Sequence, residues 1–265
     1  MESWLILSII AIVMYGSSMV AQKASLKDLS SASMILFSLL IALPMFLVVL
    51  IALIVTGEIW TIEPDHFAYG IIGATFGQIG YYTYVEAAKR GPISIVGSAT
   101  ASYPVMVAIV AIVFLGEVVT PIQGLGVMIV MSCIISLSYL HGRLEDKATA
   151  STGYYVICVI TVLLWGFWAI FTKLALLGMS NFAFLAIYSF IIPPVTIAYY
   201  RLNRIKIRNI WPKWGRPVRI AILSSIVGNL AYFVEITAVD LGPASIVFPL
   251  VASTPVIVCF WHSHS

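Results

Sequence analysis

The sequence has 265 residues, of which 61% are hydrophobic and only 9% are charged. Soluble globular domains carry about 25% charged residues, so this composition excludes a water-soluble fold and indicates an outer surface that faces lipid. The formal net charge is +3, and the basic residues fall in short clusters between apolar segments, so nucleic acid is not an expected partner. The three cysteines lie within apolar segments without the spacing of a metal site, and no cofactor is expected.

Nine segments are long and apolar enough to cross a membrane, because a span needs about 20 mostly apolar residues. They are expected to be helices, since a helix satisfies its own backbone in lipid. The first is interpreted as a spanning helix rather than a cleaved signal. In chain order the segments cover residues 4–23, 33–56, 67–88, 93–114, 120–140, 154–177, 181–200, 218–239 and 243–261. The predicted fold class is an all-α membrane protein with nine transmembrane helices.

The chain contains two copies of one sequence unit. A shift of 151 residues aligns residues 77–105 with residues 228–256 without a gap, and 12 of the 29 positions are identical. Glycine–proline pairs and interior prolines recur at a nearly constant offset, which chance similarity between apolar helices explains poorly. The predicted units are residues 1–141, with five helices, and residues 153–265, with four. A polar linker at residues 142–152 joins them.

Because five is odd, the second unit is predicted to enter the membrane in the opposite orientation. Inverted repeats of this kind are typical of secondary transporters, which bind substrate near the midplane between the repeats. Alternate numbering of the connections places 13 basic residues on one face and a single one, Lys173, on the other. Cytoplasmic loops collect lysine and arginine, so the count predicts an N-terminus on the outside.

The order and spacing of several residues resemble the drug/metabolite transporter superfamily, specifically its EamA-like branch of ten-helix transporters. The residues that carry the resemblance are Tyr15-Gly16, Lys23, Gly91-Pro92, Pro104, Gly116-Glu117, Gln123, Gly126, Trp165-Gly166, Lys173, Gly242-Pro243 and Pro255. The resemblance runs over nearly the whole chain. It implies two five-helix bundles around a central cavity and transport of small metabolites, often amino acids or related compounds, frequently outward.

Two features depart from the family pattern. Under the shift of 151, the partner of Glu117 would be residue 268, beyond the last residue of the sequence. The tenth helix is therefore predicted to be absent and the second unit truncated. Members of this branch are usually described with a cytoplasmic N-terminus, whereas the count of basic residues favours the opposite orientation.

Charged residues within spans cost about 2.5–3.5 kcal/mol at a helix centre, so each one needs a reason. Glu235 either reaches the membrane interface or lines a cavity, where it would bind a substrate amine or a coupling proton. Lys23 and Lys173 end the first helix of each unit, where they either reach the interface or form an anion site facing the cavity. Glu86 is interpreted as an interfacial ion pair with the basic residues three and four positions later.

Polar and aromatic residues within spans are the other candidates for a substrate pathway. Gln78 and Asn229 coincide under the shift of 151, and they either bond to a neighbouring helix or line the pathway. Small hydroxyl residues could pack helices closely or contact a substrate, and interior prolines could bend a helix and free a carbonyl. Aromatic residues could form interface belts or line a cavity for amphipathic substrates. These candidates are Ser102, Ser253, Pro104, Pro255, Tyr81, Tyr84, Tyr232, Trp165 and Trp168.

From this evidence we expect a secondary transporter of small organic metabolites such as amino acids or drug-like compounds. It would be a multi-pass exporter in the plasma membrane that works by alternating access, through rocking of the two units, and a proton or another ion could be coupled to transport. The alternative is a truncated, inactive remnant or a non-transporting membrane protein, which the unmatched final residues favour. The sequence contains no motif of an intramembrane enzyme, so catalysis is not expected.

Overall fold

A computed structural model describes residues 2–58, 62–114, 153–206 and 210–255, together with short stretches between 116 and 136. Regular structure in this part of the chain is helical, which confirms the predicted all-α class. The helices are α1 (Ser3–Leu26), α2 (Ser31–Thr56), α3 (Pro64–Arg90), α4 (Ile93–Thr100), α5 (Pro104–Phe114), α6 (Gly153–Leu176), α7 (Asn181–Leu202), α8 (Arg216–Leu241) and α9 (Ala244–Val251).

Six helical segments of the described chain are long and apolar enough to span a membrane. Five of them are α1, α2, α6, α7 and α8, and the sixth runs from residue 95 to residue 113 across α4 and α5. At 27 residues α3 is just as long, but its glycines and tyrosines make it less apolar. Of the predicted span 120–140, residues 121–122 and 124–129 are described and helical, whereas most of its second half and the end of the predicted span 243–261 lie outside the described residues.

The outward faces of these helices carry large apolar side chains. Val48 and Val55 on α2 are 67% and 80% exposed, and Val159 on α6 is 60% exposed. Exposing apolar faces along whole helices to water is unfavourable, because contact between apolar surface and water costs free energy. Together with the six apolar segments, they confirm an integral membrane protein that crosses the bilayer several times.

A face of glycines lets α3 approach α6 closely. A methyl group added at Gly77 would lie 2.6 Å from Trp168 Cδ1 and 2.6 Å from Tyr188 Oη, and one added at Gly73 would lie 3.2 Å from the backbone nitrogen of Thr172. Small residues at a helix contact are the usual solution in membranes, where van der Waals packing holds helices together. The glycines of α3, the third helix of the first half, therefore allow close contact with α6, the first helix of the second half.

The same arrangement recurs between α1 and α8. Gly91 at the end of α3 faces Tyr154 at the start of α6, and Gly242 at the end of α8 faces Trp4 at the start of α1; added methyl groups would lie 2.8 and 2.7 Å from the respective rings. Both glycines have an extended backbone, with φ of −124° and −131°. The close approach of a ring, and not an unusual backbone conformation, therefore accounts for glycine at both positions.

The helices α2 and α7, which correspond under the repeat, pack against each other in opposite directions. Tyr200 near the end of α7 donates a hydrogen bond to the carbonyl of Ala32 near the start of α2, at 3.0 Å. Further along, the rings of Phe46 and Tyr188 lie 5.5 Å apart. An inverted repeat predicts opposite directions for corresponding helices, and α2 and α7 run in opposite directions.

Two matched lysines hold the carboxyl ends of helices. Lys23 Nζ donates to the carbonyl oxygens of Ala88, at 2.6 Å, and Gly91, at 2.8 Å, at the end of α3. Lys173 makes the equivalent two bonds, each 3.1 Å, to the end of α8. The last carbonyls of a helix lack partners within it, and lysine can supply them. These contacts favour a helix-ending role over the anion site that was one of the two sequence interpretations.

Replacing Lys23 with methionine is expected to lower the free energy of unfolding by about 2 kcal/mol, because hydrogen bonds from a charged donor are lost at a partly buried site. Thermal or denaturant unfolding in detergent would measure the change. Lys27→Met is the matched control, because Lys27 is exposed at the end of the same helix. Equal stability of the two variants would contradict the role assigned to Lys23.

The predicted spans 93–114 and 243–261 are not continuous helices. The helix α4 ends at Thr100 and α5 begins at Pro104, and α9 likewise ends four residues before Pro255. A proline inside a helix lacks the N–H for the carbonyl four residues earlier and collides with it. The prediction that both prolines lie inside helices and bend them is therefore wrong, because each of them follows a break.

Ser102 and Ser253, which were candidates for contact with a substrate, lie in these two breaks. The amide of Ser102 donates to the carbonyl of Ala99 at 3.3 Å, and its hydroxyl donates to the same oxygen at 2.8 Å. Ser253 repeats both bonds to Leu250, at 3.0 and 2.7 Å. Each hydroxyl thus completes a tight turn by bonding to a nearby backbone group.

Candidate functional site

A cavity of about 190 Å³ lies where the two halves meet. Residues of α1, α2, α3, α6, α7 and α8 form its walls, and α4 and the turn after α9 complete them. One buried water occupies about 10–15 Å³ on this kind of measure. The cavity is therefore large enough for a small organic solute.

Nine of the fourteen residues predicted for the substrate pathway line this cavity. They are Gln78, Tyr81, Tyr84, Trp165, Trp168, Asn229, Tyr232, Glu235 and Pro255. The other five lie outside its lining, at the helix ends and turns described above. They are Lys23, Ser102, Pro104, Lys173 and Ser253.

Glu235 supplies the carboxyl group of the cavity. Of the described residues that line it, no other is acidic, basic or a histidine. The side chain is 2% exposed, and Tyr15 on α1 donates a hydrogen bond to its Oε2 at 2.7 Å. Of the two sequence interpretations, burial beside Tyr15 favours the carboxylate in the cavity over one that reaches the interface.

Aromatic residues from three helices form one wall. Trp168 Nε1 donates to the hydroxyl of Tyr232 at 3.2 Å, and this hydroxyl donates to that of Tyr188 at 2.7 Å. The rings of Tyr188 and Tyr232 lie 5.2 Å apart at a steep angle. Such edge-to-face contacts contribute about 0.5–1.5 kcal/mol beyond burial, so they hold the wall in place. Amphipathic rings give it both apolar area and polar edges.

The matched amides Gln78 and Asn229 both line the cavity, one on each side. Asn229 Nδ2 donates to the carbonyl of Ser225, one turn earlier on the same helix, at 2.7 Å. Gln78 lies beside the hydroxyl of Tyr82, one turn later on its own helix. The amide group of Asn229 is thus oriented by its own helix.

Sequence reasoning missed several residues of the cavity wall, among them Tyr15, Tyr103 and Tyr188. One signal was present for Tyr15: a shift of 150 residues places it on Trp165, which was already a candidate. Tyr188 falls on Ser38 under the same shift, so the repeat offered no aromatic match. Tyr103 and Tyr188 line the cavity because of the way the helices pack, which no local sequence pattern predicts.

Glu86 lies outside this cavity. Its Oε2 accepts a hydrogen bond from Arg90 Nη2 at 2.9 Å, which confirms the predicted ion pair. Lys89, the other predicted partner, instead donates to the carbonyls of Leu26 and Leu29 at the end of α1. Exposed pairs of this kind contribute little to stability.

Comparison with known proteins identifies the family. Residues 2–139 match the EamA-like transporter family, so the match covers slightly more than half of the 265 residues. No curated protein was found to match the chain. The match confirms the resemblance seen in the sequence, and the chain belongs to the EamA-like transporter family, within the drug/metabolite transporter superfamily.

Proposed function

We propose that this protein is a secondary transporter that exports small organic metabolites, such as amino acids or drug-like compounds, across the plasma membrane by alternating access. Its family consists of small-molecule transporters and not of enzymes. The observation that carries the proposal is the cavity between the two halves, whose wall contains a buried carboxylate, matched amides and aromatic rings. Secondary transporters with inverted repeats bind substrate at such an interface.

The packing bears on how the cavity would open. The most extensive helix contacts join α1 to α8 and α3 to α6. Each of these pairs combines one helix from each predicted unit. Rocking of the two units as rigid bodies would separate both pairs along glycine-lined contacts. We therefore propose, in place of the expected rocking of the units, that each mixed pair moves as one body.

Flux into proteoliposomes tests the proposed function. The full chain would be reconstituted and the uptake of labelled amino acids, nucleobases and organic amines followed against protein-free liposomes. We expect saturable uptake of at least one solute that unlabelled solute competes away. Coupling to protons would appear as uptake that depends on an imposed pH gradient.

Absence of saturable flux for every solute class would overturn transport by this chain. The alternative, an inactive remnant, predicts in addition that the protein aggregates when purified. A monodisperse, cooperatively unfolding protein in detergent would contradict the remnant, whatever the flux assay shows.

A further inference from the structure

The two sides of the cavity differ at two pairs of corresponding positions. Under the repeat, Tyr15 corresponds to Trp165, and Tyr84 corresponds to Glu235. In one place the rings of Tyr84 and Trp165 stack, with centroids 5.4 Å apart. In the corresponding place, Tyr15 donates a hydrogen bond to Glu235. One side is therefore aromatic, and the other side carries a carboxyl group.

The Glu235 carboxyl group has few hydrogen-bond partners. A carboxylate can accept about four hydrogen bonds, and among the described residues Glu235 accepts one, from the neutral hydroxyl of Tyr15. A buried carboxylate is costly unless it is paired with a cation and hydrogen-bonded. No lysine, arginine or histidine occurs among the described residues lining the cavity. A cation brought by a ligand would supply the missing partner.

The aromatic side offers ring surface and an unused hydroxyl group. Tyr84 is 2% exposed and lines the cavity, and its hydroxyl has no hydrogen-bond partner within the described structure. An aromatic ligand with a polar edge would stack at Tyr84 and Trp165 and bond to this hydroxyl.

Tyr103 connects the two sides. Its ring lies 5.9 Å from that of Trp165, and it lies close enough to Glu235 to interact with it electrostatically. Tyr103 therefore lies between the two sides. Ring faces along this path also attract cations.

We propose that the preferred substrate is an organic monocation with an aromatic body, whose ammonium group binds Glu235 and whose ring binds at Tyr84 and Trp165. This inference rests on the proposed transport function and narrows its substrate class. Zwitterionic amino acids fit less well, because their carboxylate would enter the cavity beside Glu235 without a cationic partner there.

The test compares ligands that share one ring and differ in charge. Tryptamine carries the ammonium alone, tryptophan carries an ammonium and a carboxylate, and indole-3-propionate carries the carboxylate alone. Binding to the purified full chain would be measured by isothermal titration calorimetry in detergent. We expect tryptamine to bind at least about 10-fold more tightly than tryptophan, and indole-3-propionate not to compete with it.

The variant Glu235→Gln isolates the charge. The amide oxygen of glutamine can still accept the hydrogen bond from Tyr15, so we expect the fold to survive, which thermal unfolding would verify. Affinity for tryptamine should fall at least about 10-fold. The same substitution at Glu63, whose side chain is 76% exposed, is the matched control and should leave the affinity unchanged.

Tryptophan binding as tightly as tryptamine would overturn the proposal, and so would unchanged tryptamine affinity in the folded Glu235→Gln variant. If that variant does not fold, the ranking of the three ligands on the unaltered protein decides alone. Saturable flux of another solute without tryptamine binding would refute the substrate class and leave transport standing. Absence of flux for every solute would refute transport itself.

Discussion

Replacing Gly77 with leucine is expected to lower the free energy of unfolding by about 3 kcal/mol, an effect at the upper end for overpacked sites. Its first added carbon would already lie 2.6 Å from both Trp168 and Tyr188. Neither ring can move freely, because Trp168 donates to Tyr232, which in turn donates to Tyr188. The leucine would therefore force α3 and α6 apart.

Unfolding in detergent would measure this loss, and size-exclusion chromatography would report any aggregation. The control is leucine at Gly97, another helical glycine on the same cavity, where an added methyl group meets no atom within 4 Å. If both variants were equally stable, the glycine face of α3 would not be needed for close packing.

Leucine at Gly97 is expected to preserve the fold and to weaken solute binding at least about 100-fold, which corresponds to about 2.7 kcal/mol. The side chain would enter the cavity instead of a helix contact. Leucine is also the better helix former, by close to 1 kcal/mol. The repeat supports this substitution, because the corresponding position in α9 holds Phe248, which is fully buried against Trp168.

Calorimetry with tryptamine, or with whichever solute the flux assay identifies, would measure the affinity. Gly97→Ala is the graded control, since one methyl group should reduce affinity far less than four carbons. Unaltered binding in the folded Gly97→Leu variant would mean that solutes occupy a different site.

The sequence predicted much of the fold because the decisive signals are local. Apolar length gave the helices, and the recurrence of Lys23 as Lys173 predicted matched sites whose contacts do correspond. The segment 67–88 was also predicted as a helix and is α3, although its glycines, which serve packing, make it less apolar than the other long helices. Apolar length failed at Pro104, because the same residue can bend a helix or follow a break, and the neighbouring turn decides between them.

The candidate site was only partly predictable, because its members are distant in the chain. Tyr15 and Glu235 are separated by 220 residues, and no spacing rule connects them. The sequence marked Glu235 by the cost of its charge within a span, yet its hydroxyl partner depends on how α1 lies along α8. Tyr188 enters the cavity through the pairing of α2 with α7, which periodicity does not reveal.

The glycine face of α3 has a consequence for how the protein is assembled. Gly77 is synthesised about ninety residues before its partner Trp168, so the first half inserts with this face uncovered. Contacts between such distant residues form late. The first half alone therefore presents an open helix surface, and an oppositely oriented helix must arrive before that surface can close. The packing of each half is therefore completed only by helices of the other half.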